Sequence, residues 1–305
     1  MRVVMICWLL LASASADETL VPLKQIGKLP EKIREASGLC KSRQHHGVFW
    51  TISDSGNSPH LYAITREGKV LAEYTVQNAI NLDWESIDTD EHGNLWIGDI
   101  GNNLPGGPFK TRWVYQVKEP NPCEEAATAQ AELPQPRSVS IVKQWHFTFP
   151  AEPMDAEGLF VRERSVYLVG KQRQSPTPLF RMRLDEVGDS KSLKKSDALQ
   201  SRSLPIKLEE IASLPLGLRV TGAALDPCAS RLVLCSYDHV TVMELGQGLK
   251  SFNDWENCPR RTLRFQATDI EGCEWDGDDI LLVSEDRAIY CLPFPKRAEL
   301  SRRKS

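Results

Sequence analysis

The stretch Asn81–Asn103, NLDWESIDTDEHGNLWIGDIGNN, decides the fold. Two apolar runs cross it, and the Gly-Asn pair at 93–94 separates them. Short apolar runs on either side of a turn signal predict a β-hairpin. Acidic residues stand at both outer ends of this hairpin: Asp83 and Glu85 at its start, and Asp99 at its end. We therefore ask whether the same arrangement recurs elsewhere in the chain.

The first strand of this hairpin belongs to a repeat that recurs roughly every 50–70 residues. The related segments are EASGL at Glu35, DWESI at Asp83, DAEGL at Asp155, TGAAL at Thr221 and DIEGC at Asp269. A β-rich run and then a third strand-like run follow each segment, and four of the five units also show a fourth run. Repeated four-stranded antiparallel units predict a β-propeller, which protects its sheet edges by radial repetition.

We predict an all-β fold, a five-bladed β-propeller of four-stranded antiparallel blades. The last unit shows no fourth strand after Pro293, and the segment LVPLKQIGKL at 20–29 is predicted to supply it and close the ring. The only candidate helix, DEVGDSKSLKKSDALQ at 185–200, is interpreted as a polar loop. Residues 17–295 are thus expected to form a single propeller domain.

Both ends of the chain are interpreted as lying outside this domain. Residues 1–16 have the short positive start, apolar core and Ala-Ser-Ala site of a cleaved signal peptide, which predicts a secreted or periplasmic protein. Residues 296–305 form a basic tail. The net charge of −4 gives no indication of nucleic-acid binding. No apolar run is long enough for an integral membrane segment.

Seven cysteines follow the signal peptide, and disulfides are plausible in an exported protein. The odd number leaves at least one thiol unpaired or intermolecular. In the predicted fourth blade, Cys228 and Cys258 fall in connections at the same end, so a bridge between them is predicted.

The predicted topology brings carboxylates together at one mouth of the central channel. Starts of first strands and turns after second strands share that face. We predict a metal site there from Asp83, Glu85, Asp99, Asn102, Asp155, Glu157, Asp269 and Glu271. We also predict ligand-binding residues there: Glu35, Asp54, Asn57, Lys171, Tyr237 and Glu285. Trp84 and Trp275 are interpreted either as core residues or as an aromatic rim of the mouth.

Carboxylates gathered around one axis repel, so either their pKa values rise or a cation neutralises them. Oxygen ligands with asparagine nearby suit a hard cation, which predicts Ca²⁺ as the cofactor. The alternative is structural: these side chains accept backbone N–H groups from the neighbouring blade, and Lys171 supplies the counter-charge.

The segments DWESI…GNLWIGDIGNN, DAEGL and VTGAALDPCASRLVLCSY resemble exported bacterial propeller proteins, themselves loosely related to SMP-30, NHL and TolB-like propellers. This resemblance covers most of the mature chain and implies the fold. It implies no reaction, because one fold supports many functions. Where such a blade commonly has Asp-Gly after the proline, this chain has DPCAS, and the cysteine there points to a local disulfide.

Three classes of function stay open. The first is a binding or scaffold module whose partner is a small molecule, a sugar or an extracellular protein. The second is a Ca²⁺-dependent phosphohydrolase of the phytase or apyrase kind, in which Lys171 and Arg173 hold phosphate beside the metal. The third is a glycosidase that uses two carboxylates on either side of a sugar.

Overall fold

The computed structural model describes residues 19–102, 109–122, 136–151, 154–172, 176–185, 204–246, 254–267 and 269–294. Residues 1–16, 186–200 and 296–305, for which a signal peptide, a polar loop and a basic tail are predicted, lie outside this set, as do Cys123 and Arg173. The described residues form β-strands and turns without an α-helix, so the all-β class is confirmed. They accordingly include no helix with the length and apolar character needed to cross a membrane.

Two four-stranded antiparallel meanders form the first half of the described chain. The first consists of β3 (Ala36–Lys41), β4 (Phe49–Ser53), β5 (His60–Ile64) and β6 (Val70–Gln77). The second consists of β7 (Trp84–Thr89), β8 (Asn94–Asp99), β9 (Arg112–Lys118) and β10 (Arg137–Thr148). The hairpin predicted from the opening stretch is therefore the pair β7–β8. Asp90 ends β7 by accepting the backbone N–H groups of His92 (2.9 Å) and Asn94 (2.8 Å), which shapes the turn.

Three further four-stranded antiparallel sheets follow. The third contains β11 (Ala156–Arg162), β12 (Ser165–Gly170), β13 (Thr177–Arg183) and β15 (Glu209–Leu214). The fourth contains β16 (Val220–Leu225), β17 (Arg231–Ser236), β18 (His239–Glu244) and β19 (Arg260–Arg264). The last contains β20 (Ile270–Asp276), β21 (Asp279–Ser284), β22 (Ala288–Pro293) and, from the start of the chain, β2 (Lys24–Lys28). Of the segment 20–29 predicted to complete the last sheet, Lys24–Lys28 does so, whereas Leu20 pairs with Arg264 of the fourth sheet.

Outer edges of these sheets are covered by additional strand pairing. The first residues of β10 run parallel to β6, with Arg137 opposite Tyr74, so the first two meanders form one continuous sheet. Two short strands, β14 (Ile206–Lys207) and β1 (Thr19–Leu20), pair with β10 and β19. Such cover removes unpaired N–H and C=O groups that otherwise template aggregation. The repeat pattern predicted separate units and not the continuity between β6 and β10.

The innermost strands are buried and contact one another in a cyclic order: β3, β7, β11, β16, β20 and back to β3. The small residue in the repeat makes this possible. A Cβ atom on Gly222 would lie 3.2 Å from Gly272 Cα, and one on Gly272 would lie 3.1 Å from Leu39 N. Because glycine has no Cβ, neighbouring inner strands approach closely along the axis.

Candidate functional site

A β-bulge recurs at the same place in every inner hairpin. The register shifts between Ala36 and Gly38, Trp84 and Ser86, Ala156 and Gly158, Val220 and Gly222, and Ile270 and Gly272. The residues left without a partner in the ladder are Ser37, Glu85, Glu157, Thr221 and Glu271. A bulge re-aims the side chain that it leaves unpaired. This device brings three glutamates to one end of the inner strands.

These three glutamates line a pocket of 220 Å³. The other charged or aromatic residues of its wall are Glu35, Asp54, Lys171, Tyr237 and Glu285. Five of the six predicted ligand-binding residues therefore meet here. The sixth, Asn57, lies beside the wall, where its side-chain amide donates to Glu35 Oε2 at 2.8 Å. The wall contains six carboxylic groups and one ammonium group, so it is strongly acidic.

Two groups of three carboxylates within this region have the spacing of a metal site. One consists of Asp54, Asp83 and Glu85, and the other of Glu85, Asp155 and Glu157. In each group, one oxygen per residue lies within 4.8 Å of the other two. Glu85 belongs to both groups and is therefore the centre of the arrangement.

Burial makes the negative charge of these groups costly. It raises the pKa of Asp54 to about 6, and the nearby charges of Asp83 and Glu35 add to the effect. It raises the pKa of Glu271 to about 8, although Lys171 opposes the shift. The pKa of Glu85 is held well above its usual value, first by burial and then by Glu157. A bound cation would reverse these shifts by stabilising the ionised forms.

Lys171 provides a positive charge inside the pocket. Its ammonium group forms an ion pair with Glu157 Oε1 and lies 5.2 Å from the centre of the Tyr237 ring. Burial opposes the charged form, but the Glu157 carboxylate outweighs it and raises the pKa of Lys171. The second oxygen of Glu157, Oε2, is buried without a hydrogen-bond partner among the described residues. One lysine thus compensates only part of the negative charge.

Three of the predicted metal ligands hold backbone together instead. Asp99 Oδ1 accepts the N–H of Asp83 at 2.7 Å, which fixes the two ends of the β7–β8 hairpin. The side chain of Asn102 bonds the N–H of Phe109 (3.1 Å) through its oxygen. Asp155 Oδ1 accepts the N–H of Asn102 at 2.9 Å, although Asp155 also belongs to a three-carboxylate group. The side chains of Asp99 and Asn102 thus bind these backbone groups, and their assignment as metal ligands stays a prediction.

Asp269 does not line the pocket. It precedes β20 with a φ of 59°, and its carbonyl accepts the N–H of Glu285 at 2.9 Å. Its role is to join the two ends of the β20–β21 hairpin, while Glu271, two residues later, occupies the bulge and faces the pocket. The start of a first strand is thus a less accurate predictor of pocket residues than the bulge position itself.

Two inner-strand acids outside the pocket accept backbone N–H groups from a neighbouring sheet, the role that the structural alternative gave to the acids of the mouth. Asp88 Oδ2 accepts the N–H of Val161 on β11 at 2.7 Å. Glu274 Oε2 accepts the N–H of Lys41 on β3 at 2.9 Å. Burial raises the pKa of Asp88 to about 7 and that of Glu274 to about 8. Acids at this end of the inner strands join neighbouring sheets.

Gly101 and Ser37 are site residues that the sequence prediction missed. A Cβ atom on Gly101 would lie 2.4 Å from Glu85 Oε1 and 2.6 Å from Asp83 Cγ. Only glycine lets the chain pass this close to the two acids. The signal for it was present as the second glycine of GDIGNN. Ser37 occupies the bulge in β3, the position equivalent to Glu85, and its hydroxyl donates to Trp84 O at 2.7 Å.

The proposed aromatic rim of the mouth is wrong. The Trp84 side chain is fully buried, and its indole N–H donates to Ile80 O at 3.0 Å. Trp275 is equally buried and donates to Ala224 O at 3.2 Å. Both residues belong to the hydrophobic core, which was the other interpretation of the sequence.

The predicted disulfide between Cys228 and Cys258 is not formed. All six described cysteines are free thiols. Cys258 is buried and its thiol donates to Glu244 O at 3.1 Å, whereas Cys228 is exposed at the turn after β16. The local chemistry therefore gives Cys258 a hydrogen-bond partner in place of a bridge.

Comparison with known proteins gives distant structural likenesses. The chain is similar to a gluconolactonase from Xanthomonas campestris (12% identity, 92% of this chain and 96% of that chain, TM-score 0.46) and to a chain of the nidogen/laminin complex (12%, 86% and 84%, 0.44). It is also similar to virginiamycin B lyase from Staphylococcus aureus (14%, 88% and 69%, 0.42). No family model and no curated protein matches the sequence.

Proposed function

We propose that this chain is a five-bladed β-propeller that binds Ca²⁺ in the acidic pocket at one mouth of its central channel. The bound ion then holds a small molecule, a sugar or an extracellular protein. The cyclic contact order of the five innermost strands supports the propeller. The observation that carries the proposed ion site is the sharing of Glu85 between two groups of three carboxylates.

The spacing of the carboxylates suits an ion in either group of three, with Glu85 as the ligand common to both. Ca²⁺ binds oxygen ligands at about 2.3–2.6 Å, so ligands on opposite sides of one ion lie at most about 5 Å apart. The oxygens of Glu85, Asp155 and Glu157 fall within this limit, as do those of Asp54, Asp83 and Glu85. All candidate ligands are oxygen atoms, which suits Ca²⁺ better than zinc.

The charge of the pocket supports the same conclusion. A divalent ion would offset the excess of carboxylates that Lys171 leaves uncompensated, and it would give Glu157 Oε2 a partner. The pocket volume of 220 Å³ exceeds the roughly 30 Å³ that one water occupies in the liquid. Space for further ligands of the ion therefore remains, and a hydroxyl or carboxylate of a partner molecule fits this need.

The two enzymatic alternatives receive less support from the geometry. A phosphohydrolase needs a basic cluster, but the ammonium of Lys171 is already paired with Glu157 among acidic neighbours. A glycosidase needs its two carboxyl groups about 6.5–9.5 Å apart if it inverts and about 5–5.5 Å apart if it retains the configuration of the sugar, and Glu157 is already ion-paired with Lys171. The nearest oxygens of Glu85 and Glu157 lie within 4.8 Å. Binding, without an assigned reaction, is accordingly the proposed activity.

Export is part of this proposal. The predicted signal peptide at 1–16 would deliver the protein to a compartment where Ca²⁺ is abundant. Mass spectrometry of the protein recovered outside the cytoplasm tests it, and the mature chain is expected to begin at Asp17. Recovery of the full-length chain from the cytoplasm alone would contradict export without affecting the ion site.

Isothermal titration calorimetry of metal-free protein with Ca²⁺ tests the ion site. We expect saturable binding that Glu85→Gln weakens at least tenfold, since it removes a charged ligand shared by both carboxylate groups. Glu274→Gln is the matched control, because Glu274 is also a buried inner-strand glutamate but lies outside the pocket. Absence of Ca²⁺ binding, or equal losses in the two variants, would refute the site.

A further inference from the structure

A second pocket lies between the second and third sheets. It has a volume of 170 Å³ and is formed around the turns at 90–93 and 163–164, which lie at the ends of β7 and β11 away from the acidic pocket. Its size is below the roughly 300–1,000 Å³ of typical drug-sized ligand sites. A ligand here is limited to about one ring.

The floor of this pocket is aromatic and fixed in position. The rings of Trp145 and Trp96 are stacked, with centroids 5.0 Å apart and an interplanar angle of 15°. Val161 and Leu184 extend the apolar lining. Because both indoles belong to a packed core cluster, the surface that Trp145 presents is rigid before any ligand arrives. An aromatic ring is the complementary ligand group, since paired rings gain energy beyond area burial.

The polar groups of the pocket are mainly hydrogen-bond donors. Its acids are Asp90 and Glu91, and the oxygens of Asp90 already accept N–H groups from His92 and Asn94 and the indole N–H of Trp96 at 2.9 Å. Glu91 is exposed at the rim. The indole N–H of Trp145 and the guanidinium of Arg164 have no hydrogen-bond or ion-pair partner among the described residues. Arg164 is open to solvent and Trp145 lines the pocket, and an acceptor-rich, anionic group on a ligand matches both donors.

The backbone places Arg164 here against its local preference. Glu163 and Arg164 form the two-residue turn between β11 and β12 with φ values of 51° and 58°. Such turns favour Asn-Gly, because both residues adopt the left-handed region. A long side chain at this position is costly, and in this fold it brings a guanidinium to the pocket rim.

We propose that this pocket binds a small aromatic carboxylate, with its ring against Trp145 and its carboxylate on Arg164. The site lies apart from the acidic pocket and does not depend on the proposed ion.

Titration with benzoate, followed through the indole N–H resonances of labelled tryptophan, tests this inference. The Trp145 resonance is assigned by its loss in Trp145→Phe. We expect it to shift saturably with benzoate, and at least tenfold more weakly with the neutral analogue benzamide, since a charge-assisted bond is lost. Equal affinity for the two compounds, or no shift up to the solubility limit of benzoate, would overturn the proposal. A shift with methyl glucoside but not with benzoate would overturn the ligand class.

Two variants at the strained turn distinguish the effect of the guanidinium on binding from the effect of the backbone on stability. Arg164→Gly removes the guanidinium and relieves the left-handed backbone, so the melting temperature should rise while benzoate affinity falls at least tenfold. Glu163→Gly makes the same change one residue earlier and keeps Arg164, so affinity should persist. Unchanged benzoate affinity in Arg164→Gly, or an equal loss in both variants, would refute the role of Arg164.

Discussion

Removal of Ca²⁺ should make the stability of the fold depend on pH in a distinctive direction. Asp54 and Glu271 have pKa values of about 6 and about 8 in the folded protein, above their ordinary values of 3.8 and 4.5. A carboxyl group with a raised folded pKa contributes stability that is complete below its unfolded pKa and is lost as pH rises through the folded pKa. The metal-free protein should therefore lose stability between about pH 4 and pH 8.

The expected loss of stability is a substantial fraction of the roughly 5–15 kcal/mol by which an ordinary domain is stable. For Asp54 alone, the change from 3.8 to about 6 corresponds to about 3 kcal/mol of unfolding free energy lost by pH 7. Ca²⁺ present at about 100 times its dissociation constant would restore about 2.7 kcal/mol by mass action. A domain of this size responds with about 2–4 °C per kcal/mol, so we expect a difference of roughly 5–10 °C at pH 7.5.

The assay is thermal unfolding from pH 5 to pH 8, with EDTA and with Ca²⁺. The melting temperature should fall with pH in both conditions, because Asp88 and Glu274 outside the pocket also have raised pKa values, and it should fall more steeply in EDTA than in Ca²⁺. Glu271→Gln should raise the melting temperature in EDTA at pH 8, because it removes a buried charge, and should reduce the response to Ca²⁺. A melting temperature that rises with pH in EDTA would refute the electrostatic reasoning. If Ca²⁺ leaves the melting temperature of the wild-type protein unchanged while Glu271→Gln raises it, the carboxylates of the pocket repel one another and there is no ion site.

Three further results are expected. Gly101→Ala should weaken Ca²⁺ binding at least tenfold in calorimetry, because its Cβ would displace Glu85. The control Gly217→Ala should not weaken binding, because its Cβ meets open space. Equal affinities of the two variants would contradict the close approach at Gly101. Asp90→Ala should lower the free energy of unfolding measured in urea by roughly 3 kcal/mol, because the N–H groups of Asn94 and of the Trp96 indole lose their acceptor. A change below about 1 kcal/mol would contradict this role of Asp90. Native-state thiol labelling should modify Cys228 and spare the buried cysteines, and peptide mapping that finds Cys228 in a disulfide would contradict the free thiol.

The repeat predicted the strands well because alternation and turn residues are local properties. It also predicted that Glu85, Glu157 and Glu271 would meet, since the antiparallel topology alone brings them to one end. The bulge that aims them was not predicted, because a register shift depends on how neighbouring inner strands pack. For the same reason the backbone contact of Asp99 was not predicted. Its oxygen accepts a backbone N–H that becomes available only when the hairpin closes.

The second pocket could not be predicted from the sequence, for a different reason. Trp145 lies on an outer strand, and Arg164 lies in the turn of the next sheet, so no motif connects them. The tryptophan pattern predicted core residues, and the core cluster that holds Trp145 agrees with that prediction. The pattern does not predict the pocket beside this indole, because the pocket depends on how the second and third sheets pack.

The last sheet joins the two ends of the described chain, with Lys28 opposite Ala288. During synthesis β2 is therefore among the first strands to be made, whereas its partner β22 is among the last. Until then its N–H and C=O groups stay open to any other extended segment, including those of neighbouring nascent chains. Pairing between strands so distant in the chain is also slow, because the entropy of closing the long loop is lost before the strand contacts can stabilise it. This sheet therefore cannot be completed until translation has passed β22, whereas the third sheet, built from adjacent segments, can form earlier.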